Sequence, residues 1–404
     1  MRILTVSASP YLLTKLSKMN SAILRGLKEE GHEVSSAVWH HDISYFLPND
    51  QGNYEFEEDG NVVCQIHPFH NIPQKNGPEL YDIIKDFNPE LVISIGDYTD
   101  TDFIFSVKSL MPNQFKWISI LTIDTCPINE RRKDAFEFID YAIVTNKMAL
   151  EEVKKISNVD VAYIPFGKNE KFNRVDDCFS PKDQFRVINC SKNSQASSTA
   201  AFIKAVVIAN SVHPEIKGYL HTNITDRGDY DIDLLMERYD AHDIVELPEK
   251  SVSLNDGIPD DSLNMEYNRS DVVVDASVRS ATGLVVLEAM GAGCIPLVTN
   301  VGAIGEIGYL LAKDLAEDFD FYIGSNMYIG QFEEYYEVIC FKSLTEKIIS
   351  LYKTKRDNPA RFDDYSLKAI AVSGLFSENN FVNEIKDIVK NVGKIDRKID
   401  LEIL

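Results

Sequence analysis

The stretch ASVRSATGLVVLEAMGAGCIPLVTNVGAIGEIG, from Ala276 to Gly308, decides how this chain folds. It follows one short apolar run, Asp271 to Asp275, and contains a second, Ile295 to Val298. Between them a loop of small residues, Ser280-Ala281-Thr282-Gly283, opens into an apolar helical stretch, Leu284 to Gly291. Strand, helix and strand in that order predict a βαβ unit of a parallel sheet, and in open sheets of this kind ligands lie beyond the carboxyl ends of the strands. The amides of Gly283, Leu284 and Val285 begin the helix, have no intrahelical acceptor and share the positive end of its dipole. Together with the Ser280 and Thr282 loop they read as a cradle for a diphosphate. Glu288, one turn further in, can accept both hydroxyls of a ribose once the diphosphate is anchored. Many βαβ units carry a glycine before an apolar helix, with the acid an ordinary solvated residue. From spacing alone both readings stand.

Working outward, the same alternation fills the chain. Met1 to Ser7 reads as a buried strand; Leu16, Met19, Ile23 and Leu27 recur at helical spacing up to Gly31-His32; Glu33 to Trp39 is a second apolar run. A helix over Leu80 to Phe87, broken at Asn88-Pro89, precedes a strand over Leu91 to Ile95. Further strands are expected at Trp117 to Ile123, Tyr141 to Val144 and Val161 to Ile164, with helices from about Asn129 and over Lys147 to Ile156. Pro165-Phe166-Gly167 and the polar residues up to Asp183 read as a linker. A second series follows, with strands at Arg186 to Cys190, Gly218 to Thr222, Ile244 to Leu247, Asp271 to Asp275 and Ile295 to Val298. Its helices are Thr199 to Ser211, Ile232 to Tyr239, Ser262 to Asn268 and Leu284 to Gly291. Tyr309 to Tyr336 reads as loop-rich, and Phe381, Ile385, Ile388, Val389 and Val392 mark the apolar face of a last helix. The expectation is an α/β chain with two Rossmann-like, doubly wound domains, residues 1–168 and 169–379, followed by a last helix at about 380–404.

Bulk properties narrow the partners. At 404 residues the chain is long for one core. No stretch reaches the roughly 18 apolar residues of a membrane span, which leaves room only for peripheral membrane contact. A formal net charge of −22 disfavours broad contact with nucleic acid. Arg131, Arg132 and Lys133, the best local basic group, read as a solvated helix start. Six cysteines, at positions 64, 126, 178, 190, 294 and 340, make no metal spacing and fit reduced thiols in the cytoplasm.

The run GLVVLEAMGAGCIPLVTNVGAIGEI resembles the signature of the family 4 retaining glycosyltransferases. Gly283, Leu284, Leu287, Glu288, Ala289, Met290, Gly293, Pro296, Gly302 and Glu306 fall in or close to register with it. Weaker similarity lies at Gly31-His32-Glu33-Val34, at Phe87-Asn88-Pro89-Glu90-Leu91-Val92, at the Ile164-Pro165-Phe166-Gly167 junction and at Phe376-Ser377, so it touches both halves. The resemblance implies the GT-B architecture, two Rossmann-like domains facing a central cleft with the C-terminal helix crossing back to the first. It also implies transfer of a sugar from a nucleotide-diphosphate-sugar donor, with retention and with no tightly bound cofactor. On that basis Glu288 holds the ribose; Gly283, Leu284, Val285, Lys192 and Asn193 hold the diphosphate; Ser280 and Thr282 shape its loop; and Thr222-Asn223 and Leu247-Pro248 lie near the base.

The chain departs from the family pattern at several anchors. Ser280 stands where the first of the paired glutamates is usual, Lys192 replaces an arginine, and Ser197 occupies a lysine position. Ser9-Pro10-Tyr11 replaces a Gly-Gly loop, and Asp124, in LTIDTCP, replaces a histidine. Lys192 is then the cation left to counter charge on the departing nucleotide, and Asp124 is the acceptor-side catalytic candidate. Asp229-Tyr230-Asp231 and Asp231-Ile232-Asp233 match a metal-binding D-x-D, but they precede the helical run LLMERY and read as caps, so no metal is expected. Asp97, Asp100 and Asp102 read as loop acids, and His40-His41 as a loop pair without a third ligand. Alternatives left open are a nucleotide-sugar-binding protein with little turnover, a GT-B-fold epimerase or phosphorylase, and, as a minor option, a transferase acting on a DNA base.

Overall fold

The computed structural model describes residues 1–39, 48–49, 53–69, 76–97, 102–128, 133–175, 184–224, 228–248, 258–315, 319–329 and 335–394. His40, His41, Asp100, Arg131 and Arg132 lie outside the described residues. The chain divides into two compact units, Met1–Pro165 with the segment from Asn379 onward, and Phe166–Glu378.

In the first unit the strands are β1 (Arg2–Ser7), β2 (Glu33–Trp39), β3 (Tyr54–Glu58), β4 (Asn61–Phe69), β5 (Leu91–Gly96), β6 (Lys116–Leu121), β7 (Tyr141–Val144) and β8 (Val161–Tyr163). The helices between them are α1 (Lys15–Glu29), α2 (Asn76–Phe87), α3 (Asp102–Leu110), the short α4 (Lys133–Phe136) and α5 (Lys147–Ile156). The sheet order is β3-β4-β2-β1-β5-β6-β7-β8, and only the β3–β4 pair is antiparallel. Strands β1, β5 and β6 are buried along nearly their whole length because helices cover both faces, which explains their near-continuous apolar composition. The few polar side chains inside pair with one another, as Ser94 does with Ser119 at 2.9 Å and with the indole N–H of Trp117 at 2.9 Å.

The second unit carries β9 (Phe185–Cys190), α6 (Thr199–Val212), β10 (Ile216–His221), α7 (Ile232–Arg238), β11 (Val245–Glu246), α8 (Asp260–Asn268), β12 (Val272–Asp275), α9 (Leu284–Gly291), β13 (Ile295–Val298) and α10 (Gly302–Leu315). A hairpin of β14 (Ser325–Ile329) and β15 (Tyr335–Ile339), then α11 (Phe341–Asp357), α12 (Pro359–Ser373) and α13 (Glu378–Asn391), complete the chain. The five strands of the main sheet are all parallel, in the order β11-β10-β9-β12-β13. The chain runs outward from β9 through β10 to β11 and then returns to the other side of β9 with β12. The topological switch point, where open sheets leave a crevice, therefore lies between the carboxyl ends of β9 and β12. At the opposite, amino end of the same strands the charges neutralise one another. Asp271 takes Lys355 at 2.5 Å and the Arg186 N–H at 3.0 Å, and the Arg186 guanidinium reaches Glu266 at 2.7 Å. Burial pushes the Asp271 carboxyl above its usual range and these donors oppose the rise.

One expectation is corrected. Tyr309 to Tyr336 is not loop-rich: α10 runs on to Leu315, and β14 pairs with β15 from Ser325↔Ile339 to Ile329↔Tyr335. The hairpin gives no amphipathic signal because both strands are largely exposed, with Met327, Tyr328, Ile329, Tyr335 and Val338 each about half exposed or more.

Candidate functional site

The loop after β12 is built by glycine geometry and by tethers to its neighbours. Gly283 caps α9 at φ 63°, the left-handed region that turns the chain sharply into the helix. The Ser280 carbonyl oxygen accepts the Ala303 N–H at 3.1 Å, which packs the loop on the start of α10. On its other side the Val278 N–H donates to the Ala196 carbonyl oxygen at 2.8 Å, so the loops after β12 and β9 touch across the switch point. The loop after β9 is tied in turn to the one after β10: the Asp229 N–H reaches the Asn193 carbonyl oxygen at 3.2 Å, and the Asp229 carboxylate accepts the Gln195 N–H at 2.9 Å. Three loops thus form one rim at the carboxyl end of the sheet.

The donor-side residues named from sequence lie on this rim or on the helix behind it, except Leu247 and Pro248, which follow β11. Gly283, Leu284 and Val285 open α9, with Ser280 half-buried and Thr282 buried just before them. Among the described residues none accepts a hydrogen bond from the backbone N–H of Gly283, Leu284 or Val285, as expected for the first turn of a helix. Lys192 and Asn193 follow β9, Thr222 and Asn223 follow β10, and Leu247 and Pro248 follow β11. Lys192 is exposed and Asn193 buried. Asp124 belongs to the other unit, half-buried beyond the carboxyl end of β6.

Among the described residues, two buried polar atoms on the rim find no partner. Asn193 is 2% exposed; its amide nitrogen donates to the Tyr230 carbonyl oxygen at 2.7 Å, and that bond orients its side-chain oxygen, which is unpaired. The hydroxyl of Thr222, also 2% exposed, is unpaired too. Buried groups of this kind are normally satisfied, and leaving one without a partner costs about 1–3 kcal/mol.

Glu288 is 3% exposed rather than solvated. The Tyr267 hydroxyl of α8 stands 3.5 Å from its Oε2, at the outer limit of a hydrogen bond. Tyr267 is fully buried against Phe172, with ring centroids 6.0 Å apart, and burial raises its phenol well above the usual range. Sequence reading did not single out Tyr267. The available signal was a lone aromatic residue in the polar helix DDSLNMEYN.

The D-x-D acids act as caps. The Asp231 carboxylate accepts the Leu234 N–H at 3.0 Å as N-cap of α7, and Asp229 is spent on Gln195. No group of three metal-ligating side chains occurs among the described residues. Asp231→Ala should therefore lower stability by about 1 kcal/mol, the worth of an N-cap, measured by denaturant unfolding. Ser197 lies in the short 3-10 turn Gln195–Ser197, where its N–H and hydroxyl both meet the Ser194 hydroxyl, at 3.2 and 2.9 Å.

Residues 208–320 match the family model described as glycosyl transferases group 1. No curated protein sequence matches the chain. Among solved structures, sucrose-phosphate synthase from Thermosynechococcus elongatus superposes with a TM-score of 0.72 at 16% identity, over 98% of this chain and 99% of that one. A glycosyltransferase from Rickettsia africae gives 0.68 at 14% identity, over 97% and 98% of the two chains. Anabaena Alr3699/HepE in complex with UDP gives 0.68 at 12% identity, over 97% and 100%. The fold is GT-B. No helix among the described residues is long and apolar enough to cross a membrane.

Proposed function

We propose that the second unit binds a nucleoside-diphosphate sugar at the β9–β12 switch point and that the protein transfers the sugar, with retention, to an acceptor hydroxyl. The observation that carries this reading is the pair of buried, unpartnered atoms, Asn193 Oδ1 and Thr222 Oγ1, on the rim that the free α9 amides complete. Each group asks for a different part of one ligand. The helix amides, with Lys192, suit the diphosphate. Glu288 suits the two ribose hydroxyls, being an acceptor held beside the helix start. Asn193 is assigned to a hydroxyl rather than to phosphate, because its amide nitrogen is engaged and a carbonyl oxygen repels an anion. Thr222 with Asn223, and Leu247 with Pro248, remain on the side of the base.

In the reaction the bond from the anomeric carbon to the diphosphate oxygen breaks, and a bond to the acceptor oxygen forms on the same face. The acceptor proton passes to the departing phosphate, with Asp124 the side-chain candidate on the acceptor side. Amides and Lys192 lower the barrier by meeting charge as it develops on the leaving group. Asp231 is engaged as the N-cap of α7 and Asp229 by the Gln195 N–H, and the scheme is drawn without a divalent metal.

Ser197 favours a second reading. Where the resemblance implies a lysine, this chain has a hydroxyl absorbed in a local turn, which removes one cation from the leaving group; a protein that binds the donor with little turnover would look the same. Incubation with UDP-, GDP- and ADP-sugars, following thermal shift and nucleotide release, separates the two. Binding with release supports transfer, and binding without release across a range of acceptors supports the second reading. The absence of binding to any donor overturns both. Binding is expected to be unaffected by EDTA and by Asp231→Ala.

A further inference from the structure

The place of Lys168 is fixed by the backbone. Its N–H donates to the Phe376 carbonyl oxygen at 3.3 Å, its carbonyl oxygen accepts the Glu378 N–H at 3.1 Å, and the residue bridges Ser377 in parallel. From this clamp the side chain runs along α9. Its Cδ and Cε lie so close to Gly291 that a Cβ there would stand 2.8 and 2.6 Å from them. Gly291 and Glu288 are separated by one helical turn and share a face of α9, so the Lys168 stem lies over the same face of the helix that carries Glu288. Burial lowers the Lys168 ammonium below its usual range, and the charges of Glu170 and Glu288 oppose that shift. Glu170 is exposed, so water screens it, whereas Glu288 is buried.

We propose that Lys168 is a positioning residue for Glu288: its ammonium holds the buried carboxylate turned to accept the ribose hydroxyls. The inference rests on the donor-site reading above. It assigns Tyr267 and Lys168 complementary parts around a buried acid, one a hydroxyl beside Oε2 and the other a charge. A lysine in the 376–378 clamp would otherwise be a filler for the space over Gly291, and a methionine would fill that space equally well.

The test is UDP titration calorimetry on the wild type, Lys168→Met, Lys168→Arg, Glu288→Gln and the Lys168→Met/Glu288→Gln double variant, with Lys168→Gln as a second neutral form should the methionine fail to fold. Lys168→Met should raise the UDP dissociation constant by about five- to tenfold, and Lys168→Arg should restore it to within about twofold. In the Glu288→Gln background the Lys168→Met change should have no further effect, because the charge it serves is gone. Wild-type affinity in both neutral variants, or an undiminished effect in the Glu288→Gln background, overturns the proposal while leaving the donor site intact. A wild type that binds no UDP, GDP or ADP overturns the donor site itself, and this inference with it.

Discussion

Glu288→Gln is expected to raise the UDP dissociation constant about 10- to 100-fold, the loss of roughly 1.5–3 kcal/mol when hydrogen bonds to a charged group are weakened. The substitution keeps the shape of the side chain, so packing in the α9 face stays filled. What changes is chemistry: a carboxylate offers acceptors only, matched to two hydroxyl donors, whereas glutamine presents an N–H₂ to one of them. Glu288 is 3% exposed, and the protein carries the cost of that buried acid in its unliganded state. Stability should change little in the variant, because the desolvation cost of a buried carboxylate is removed while the charge interaction with Lys168 is lost with it. Calorimetric titration and a thermal melt measured together check both halves. A weaker ligand at nearly unchanged Tm is the signature of a binding group. Equal loss of Tm and affinity would mark Glu288 as structural.

Gly302→Ala is expected to be strongly destabilising for the second unit. Gly302 begins α10 at φ 43°, and a Cβ there would lie 2.0 Å from the Ser280 carbonyl oxygen. That oxygen is backbone and cannot swing away, and it is held by the Ala303 N–H at 3.1 Å. Left-handed strain and the clash together should cost about 2–4 kcal/mol in denaturant unfolding. The relief available is movement of the Ser280 loop, which leads directly into Gly283, so donor affinity should fall in the same variant. Gly393→Ala, with nothing within 4 Å of its Cβ, is the matched control and should change neither quantity.

The parallel βαβ unit from Asp271 to Val298 was legible because both strands are buried on both faces and read as unbroken apolar runs. Gly283 was legible for the same reason, because the turn past the carboxyl end of β12 is where a ligand is expected, whereas Asn193 and Thr222 follow only from the family resemblance. Elements at sheet edges left less trace. Strand β3 reads YEFEE, with Phe56 alone buried, and β4 carries Pro68, so neither shows the apolar run that marks the central strands. The surroundings of the α9 face that carries Glu288 were not legible at all. Tyr267 lies 21 residues away in sequence and meets it only through the packing of α8 on α9. Lys168, in the polar run after Gly167, is brought to α9 by a backbone clamp formed with residues 376–378. Sequence spacing carries local geometry, and these contacts are tertiary.

The most direct measurement is a crystal structure of the protein soaked with UDP. The account predicts the pyrophosphate oxygens within hydrogen-bond distance of the Gly283, Leu284 and Val285 amides, and both ribose hydroxyls on Glu288. Electron density for the nucleotide away from the β9–β12 crevice, or a ribose that leaves Glu288 facing only Tyr267, would contradict it.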